Sequence, residues 1–164
     1  MNFDVVQGDI AAQQADALVN AANTGLAMGS GVAGALRRGA GTGIDDEAVS
    51  KGPVDLGGVA VTDAYDLDAE WVIHAAAMPQ GGRATAESIR DATRNSLERA
   101  DELGCTSLVL PALGCGIAGF DLREGARIIG EVIAEYEPTS LADVRLIGYD
   151  EDEVATIREV THEN

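Results

Sequence analysis

The stretch Leu110-Pro111-Ala112-Leu113-Gly114-Cys115-Gly116-Ile117-Ala118-Gly119-Phe120 decides how this chain folds. It leaves a short apolar strand over 108–111, passes through a glycine-rich loop, and enters an amphipathic helix over 122–136. That helix places Ala126, Ile129, Ile133 and Tyr136 on one face, with Pro138 beyond its end. Strand, glycine turn and helix in that order form the unit of an open α/β sheet. Ligands bind such sheets where strands end and helices begin, because helix N-termini present free N–H groups and a partial positive charge.

The same unit recurs upstream. An apolar run over 17–20 is followed by Gly29-Ser30-Gly31-Val32, which opens a short helix over 31–39 with Val32, Ala35 and Leu36 on one face. Further strands are predicted over 3–6, 59–62, 71–74 and 144–149, and a terminal helix over 151–160. The clearest helix runs over 85–103, where Ile89, Thr93, Leu97, Ala100 and Leu103 recur at helical spacing and Gly104 closes it. Strands alternating with helices predict an α/β fold, and no linker, repeat or low-complexity run divides the 164 residues, so they read as one domain.

Glycines let backbone N–H groups approach phosphate oxygens with no Cβ in the way. Either glycine loop alone is also what a tight turn looks like. Neither is a P-loop, since no Gly-Lys-Ser/Thr follows, and Gln7-Gly8-Asp9-Ile10 stands where a dinucleotide fingerprint would follow the first strand. With no lysine near either loop, a phosphate is expected to be held by backbone dipoles rather than side-chain cations, which points to a diphosphate inside a larger ligand.

Composition narrows the partners. Acidic residues outnumber basic ones 28 to 11, the net charge is -17, and Lys51 is the only lysine. Such a charge repels polyphosphate backbones and anionic membranes, so direct nucleic-acid and membrane binding are not expected. An acidic, lysine-poor surface is how extreme halophiles stay hydrated in molar salt, where screening acts over about 3 Å. Cys105 and Cys115 follow no metal or redox spacing and read as small buried hydrophobes, although Cys115, in a cleft loop, also stands as a nucleophile candidate. No signal segment or long apolar run is apparent, so a cytoplasmic location is expected. No heptad or long edge pattern demands a partner, so a monomer is expected.

Gly8-Asp9-Ile10, Ala17-Leu18-Val19-Asn20-Ala21-Ala22-Asn23, Gly29 to Leu36, Val72-Ile73-His74 and Leu110 to Phe120 together closely resemble the macro domain family, in its archaeal-like form of the ADP-ribose 1″-phosphate-processing type. The resemblance runs from Gly8 to about Tyr149. It implies a three-layer α/β/α fold with a central mixed sheet and an ADP-ribose cleft at its crest. Asp9 matches the carboxylate that accepts from the adenine amino group, with backbone contact from Ile10; by itself Asp9 also reads as a turn or cap residue. Asn23, beside Ala22, matches the asparagine at the distal ribose, whose amide both donates to and accepts from hydroxyls. Asn20 is expected to stabilise its loop.

By the same resemblance Ser30, Gly31 and Val32 form the first phosphate loop, and Gly114, Cys115, Gly116, Ile117, Ala118 and Gly119 the second. Phe120 matches the aromatic beside the distal ribose. Tyr149 aligns with an aromatic found against the adenine in some members, or else is a core aromatic. ADP-ribose is the ligand; no cofactor and no metal are expected. Two functions stay open: hydrolysis of ADP-ribosyl derivatives (esters on acidic side chains, O-acetyl-ADP-ribose or ADP-ribose 1″-phosphate), and ADP-ribose reading without turnover. Ala33 stands where one hydrolytic branch carries an aspartate after Gly-Val, no pair of glutamates marks the poly-ADP-ribose-cleaving branch, and His74 reads as structural. Some archaeal-type members without the aspartate still hydrolyse the esters. The expected mechanism has Asn23 and Gly31 hold the distal ribose, Phe120 fix its orientation, and a phosphate-bound water attack. Asp45, Asp46 and Glu47 read as a solvated helix start.

Overall fold

A computed structural model describes residues 1–116 and 119–161. Six strands, β1 (Asn2–Gln7), β2 (Ala17–Asn23), β3 (Val59–Asp63), β4 (Trp71–Met78), β5 (Ser107–Pro111) and β6 (Asp143–Gly148), form one sheet in the order β1-β6-β5-β2-β4-β3. All neighbours run parallel except the edge strand β3, which is antiparallel to β4, so the sheet is mixed as expected. Helices α1 (Gly31–Ala40) and α2 (Ile44–Lys51) cover one face; α3 (Ala86–Glu102), α4 (Leu122–Glu135) and α5 (Glu151–Val160) cover the other. This is a three-layer α/β/α arrangement.

Each face has its own apolar core. Val19, Ile73, Leu108 and Leu146 point toward α3 and α4, where Ile89, Leu97, Ile129 and Ile133 meet them. Leu18, Val72, Val109 and Ile147 point the other way, against Leu36, Ile44 and Ala48. A sheet covered on both faces buries successive residues of its central strands, which is why those strands read as apolar runs rather than alternations. The periodic helix over 85–103 is α3, with Thr85 accepting from the Ser88 N–H and Ser88 Oγ accepting from the Thr85 N–H, a reciprocal cap.

Three predicted elements need correction. Strand β4 continues past His74 through Ala75-Ala76-Ala77 to Met78, and β2 continues past Asn20 to Asn23. The acidic run around Asp45 is the first turn of α2 and not merely a solvated start. Asp45 accepts from the Met28 N–H at 2.8 Å, and Glu47 accepts from Tyr65 Oη at 2.9 Å and pairs with Lys51 at 3.2 Å. Lys51 in turn donates to the Val61 carbonyl, so the sole lysine fastens α2 to β3. The expectation of solvation holds for Asp46, which is exposed.

No helix among the described residues is long and apolar enough to cross a membrane.

Candidate functional site

The parallel strands β1, β6, β5 and β2 lie side by side and end on the same edge of the sheet. Strands β2 and β5 pair only at Ala17↔Leu108 and Leu18↔Val109. Beyond that point Pro111 has no N–H to extend the ladder, and the two strands part toward their C-terminal ends. The gap opens into a cleft of about 780 Å³, a size suited to a small-molecule ligand. Its walls are the loop entering α1 and the loop between β5 and α4.

Eleven residues expected at the site line this cleft: Asp9, Ile10, Ala22, Asn23, Ser30, Gly31, Val32, Gly114, Cys115, Gly116 and Tyr149. Gly119 and Phe120 stand outside the lining; Phe120 is half-buried against the core beside Gly125, and its N–H donates to the Gly114 carbonyl at 3.0 Å. Ile117 and Ala118 lie outside the described residues.

At one end, Asp9 closes β1. Its Oδ1 accepts from the Ala11 N–H at 2.9 Å, so it caps the 3-10 turn Ile10–Ala12 while also facing the cleft. Asp9 is thus a cap residue that also lines the cleft. Tyr149 follows β6 beside it and is 73% exposed, which overturns a core role. Its N–H donates to Glu153, whose carboxylate also reaches the cleft.

At the other end stands Asn23, and its geometry corrects one expectation. Its Oδ1 accepts from the N–H groups of Gly25 and Leu26, at 2.9 and 3.1 Å. The amide oxygen is thus spent on the turn out of β2, and only the Nδ2 hydrogens remain to meet a ligand. Asn23, rather than Asn20, shapes this loop.

Asn20 is buried in mid-strand, where its Nδ2 lies 3.0 Å from His74 Nδ1. His74 Nε2 lies 2.9 Å from Thr62 Oγ1, and that hydroxyl donates to the Asp63 carbonyl. A hydroxyl donating to a carbonyl accepts from the ring N–H, which assigns the proton to Nε2 and leaves Nδ1 to accept from Asn20. Burial pushes His74 down to about 4, so the ring is neutral. It belongs to the sheet, outside the cleft, as a structural reading requires.

Between the ends, the first-turn N–H groups of α1 have no intrahelical acceptors, and Ser30, at the cap position, makes no side-chain cap bond. Gly31, with φ of 63°, starts this turn in a conformation that favours glycine. Across the gap Gly114 has φ of 78°, and a Cβ there would lie 2.6 Å from Ala84 Cβ and 3.0 Å from Ile89. The second loop is therefore seated on α3 by a contact only glycine permits. Burial, and then the Asp121 carboxylate, push the Cys115 thiol up to about 12, which removes it as a nucleophile at neutral pH.

One cation reaches the cleft that the sequence reading excluded. Arg38 lines it, with Nη1 3.3 Å from where a Gly34 Cβ would sit. Gly34 and Arg38 are one helical turn apart, and the missing side chain at 34 lets the guanidinium lie back along α1. The charged lining is then Asp9, Arg38 and Glu153. Among the described residues no group of three or more His, Cys, Asp or Glu could hold a metal ion.

Known proteins share both the sequence and this architecture. The chain is 41% identical over 157 residues to an uncharacterized protein of Sulfolobus acidocaldarius, covering 93% of this chain and 86% of that one. It is 42% identical over 144 residues to an uncharacterized protein of Mycobacterium bovis, covering 88% of this chain and 40% of that protein. The chain thus spans about two fifths of the length of its mycobacterial relatives. Among solved structures, the Trypanosoma brucei macrodomain in complex with ADP superposes with a TM-score of 0.86 at 28% identity, covering 97% of this chain and 68% of that one. The same macrodomain in complex with ADP-ribose gives 0.85 at 27% identity, covering 96% and 68%. The family model for the macro domain matches residues 19–129, and the chain belongs to the macro domain family.

Proposed function

We propose that the cleft binds ADP-ribose and hydrolyses ADP-ribosyl derivatives at the distal ribose: esters on acidic side chains, O-acetyl-ADP-ribose or ADP-ribose 1″-phosphate. The observation that carries this reading is the opposition of two backbone N–H-rich loops, at Ser30–Val32 and Gly114–Gly116, with a carboxylate at one end of the cleft and an amide donor at the other. Loop N–H groups and the α1 N-terminus suit a diphosphate, to which Arg38 adds a side-chain cation. Asp9 suits the adenine amino group and Tyr149 the adenine face, a stack worth about 1–3 kcal/mol by analogy with base stacking. The trypanosomal relative in complex with ADP-ribose supports the ligand class.

In the mechanism we favour, Asn23 Nδ2 and the backbone at Gly31 orient the distal ribose, and a water held by the ligand's own phosphate attacks the anomeric carbon or the ester carbonyl. Orientation and fixed dipoles lower the barrier, so no protein base is required. Phe120 acts through the loop it closes onto Gly114. A reader without turnover is the second reading. It is favoured by the lining itself: Ala33 carries no carboxylate, the Cys115 thiol is neutral, and Asp9 and Glu153 sit at the adenine end. Incubation with mono-ADP-ribosylated protein separates the two, since release of ADP-ribose means hydrolysis and retention of the label with binding means a reader.

We read residues 1–164 as a single macro domain acting as a cytoplasmic monomer on free or protein-linked ADP-ribose, without direct contact to nucleic acid or membrane. The charge of -17 supports that choice of partners. It also supports a halophilic setting. The melting temperature is expected to rise by at least about 10 °C from dilute buffer to molar KCl as self-repulsion is screened; an unchanged value would count against it.

A further inference from the structure

The order of the strands places one acidic side chain where the adenine-side ribose of a nucleotide belongs. Along the sheet edge β6 lies between β1, which leads to Asp9, and β5, which opens into the second loop. Two strand spacings separate β1 from β5, about 10 Å, which is the scale of one nucleoside. With the adenine at Asp9 and the diphosphate at Gly114–Gly116, the ribose joining them lies over the end of β6.

Glu153 stands at that end, lines the cleft and is held by three contacts. Its Oε2 accepts from the Tyr149 N–H at 2.7 Å, and its own N–H donates to Asp150 Oδ1, the cap of α5, at 2.9 Å. The first turn of α5 is seated on the last residue of β6: a Cβ at Gly148 would lie 2.9 Å from Val154 Cγ2 and 3.3 Å from Glu153 Cβ. One carboxylate oxygen is thus tied to the backbone, and Oε1 has no hydrogen-bond partner among the described residues. Glu153 also forms no ion pair among them. Arg38, the cation of the lining, lies beside the first loop, since its Nη1 and the Gly29 carbonyl are both 3.3 Å from where a Gly34 Cβ would sit.

We propose that Glu153 reads the adenine-side ribose: its carboxylate accepts from the 2′-hydroxyl and excludes nucleotides phosphorylated at that position. The 2′-hydroxyl is the one nearer the base, and Glu153 is tied to Tyr149, the residue suited to the adenine face. A carboxylate on a 2′-hydroxyl is also how doubly wound sheets separate the two dinucleotide cofactors, an arginine there admitting the 2′-phosphate instead. The protein therefore takes ADP-ribosyl groups that derive from the unphosphorylated dinucleotide and refuses those that derive from its 2′-phosphate. This rests on the reading that the cleft holds ADP-ribose with its adenine at Asp9. Glu153 is a specificity-determining residue, at the opposite end of the cleft from Asn23.

The test is a titration of wild-type protein, Glu153→Gln and the control Glu151→Gln with ADP-ribose and with 2′-phospho-ADP-ribose in molar KCl. Screening over about 3 Å there suppresses the repulsion from the net charge and leaves contacts in place. Glu151 lies in the same helical turn, exposed and outside the lining, so its substitution makes the same change in net charge. Wild type and Glu151→Gln are expected to bind 2′-phospho-ADP-ribose about tenfold more weakly than ADP-ribose. In Glu153→Gln, whose amide oxygen still accepts from Tyr149, the gap is expected to close to within about threefold. Equal affinity of wild type for both nucleotides, a gap that survives in Glu153→Gln, or a gap that closes equally in Glu151→Gln overturns the role of Glu153 alone. Failure of wild type to bind ADP-ribose overturns the nucleotide reading, and this role with it.

Discussion

Replacing Asn23 by aspartate is expected to lower turnover of an ADP-ribosylated substrate by on the order of 10²-fold, the usual cost of losing one positioned hydrogen-bond donor at a reacting centre. The reasoning lies in how the side chain is shared. Asn23 Oδ1 already accepts from Gly25 and Leu26, and an aspartate oxygen accepts the same two bonds. The turn out of β2 is therefore kept, and the melting temperature should change by no more than about 3 °C, since the difference confined to the exposed side of one loop is worth well under 1 kcal/mol. What is lost is Nδ2, the only part of the amide left for a ligand. Asn23→Ala removes both functions, and is expected to lower turnover as far while also loosening the loop. Measured kcat for the three proteins decides the matter. If Asn23→Asp turned over like wild type with its nucleotide affinity intact, the assignment of Asn23 to the distal ribose would be wrong.

The second large effect is on stability, and its site is the buried chain Asn20–His74–Thr62. Burial holds His74 at about 4 in the folded protein against an ordinary 6.5 in the unfolded chain. Between those values the unfolded state binds a proton that the folded state refuses. Stability is thus fully present above about pH 6.5 and falls as pH drops toward 4, by up to about 1.4 kcal/mol per unit and about 3 kcal/mol in all. Asp101 acts in the same direction at lower pH. Burial raises its carboxyl, but bonds from Tyr136, Thr139, Ser140 and Leu141 outweigh this and hold it at about 2, so its contribution is lost between about pH 4 and 2. Denaturant unfolding at pH 7.0, 5.5 and 4.5 is expected to show a steep loss in wild type and a shallower one in His74→Gln, whose amide does not titrate. Parallel slopes for the two proteins would mean that His74 is not the group being protonated.

Much of the fold could be read from residues alone. The long helix announced itself through Ile89, Leu97 and Ala100, and the glycine loops fell where strands meet helices because glycine-dependent turns leave marks at Gly31 and Gly114 that no other residue type imitates. What stayed hidden depends on contacts distant in sequence. Asn20 looks like the end of a strand until it meets His74, 54 positions away, which gives its Nδ2 a partner in the middle of β2 while its buried Oδ1 has none among the described residues. The Ala75-Ala76-Ala77 run has neither alternation nor β-branching, and only a sheet covered on both faces makes it a strand. Helix α2 buries just Ile44 and Ala48, too short a stripe to register, and its acidic first turn looked like solvent-facing charge. Arg38 carries no signal in the loop sequences, because it lies outside both loops and only the helix brings it in from a turn further along.

The site was legible in its parts and less so in its chemistry. Asp9, Asn23 and the loop residues Ser30–Val32 and Gly114–Gly116 line one cleft, yet the division of Asn23 between its own turn and the cleft depends on the backbone N–H groups of Gly25 and Leu26. Phe120 shows the opposite case. An aromatic beside a ligand loop invites a role at the ligand, whereas here its ring packs on the core and its N–H fixes Gly114.

The most direct measurement is isothermal titration of the protein with ADP-ribose in molar KCl. The account predicts a single site of micromolar affinity, consistent with about −8 kcal/mol for a cleft that holds a diphosphate between two loops. Absence of binding would mean that the loops at Ser30–Val32 and Gly114–Gly116 serve only as turns in this chain, and would contradict the central claim.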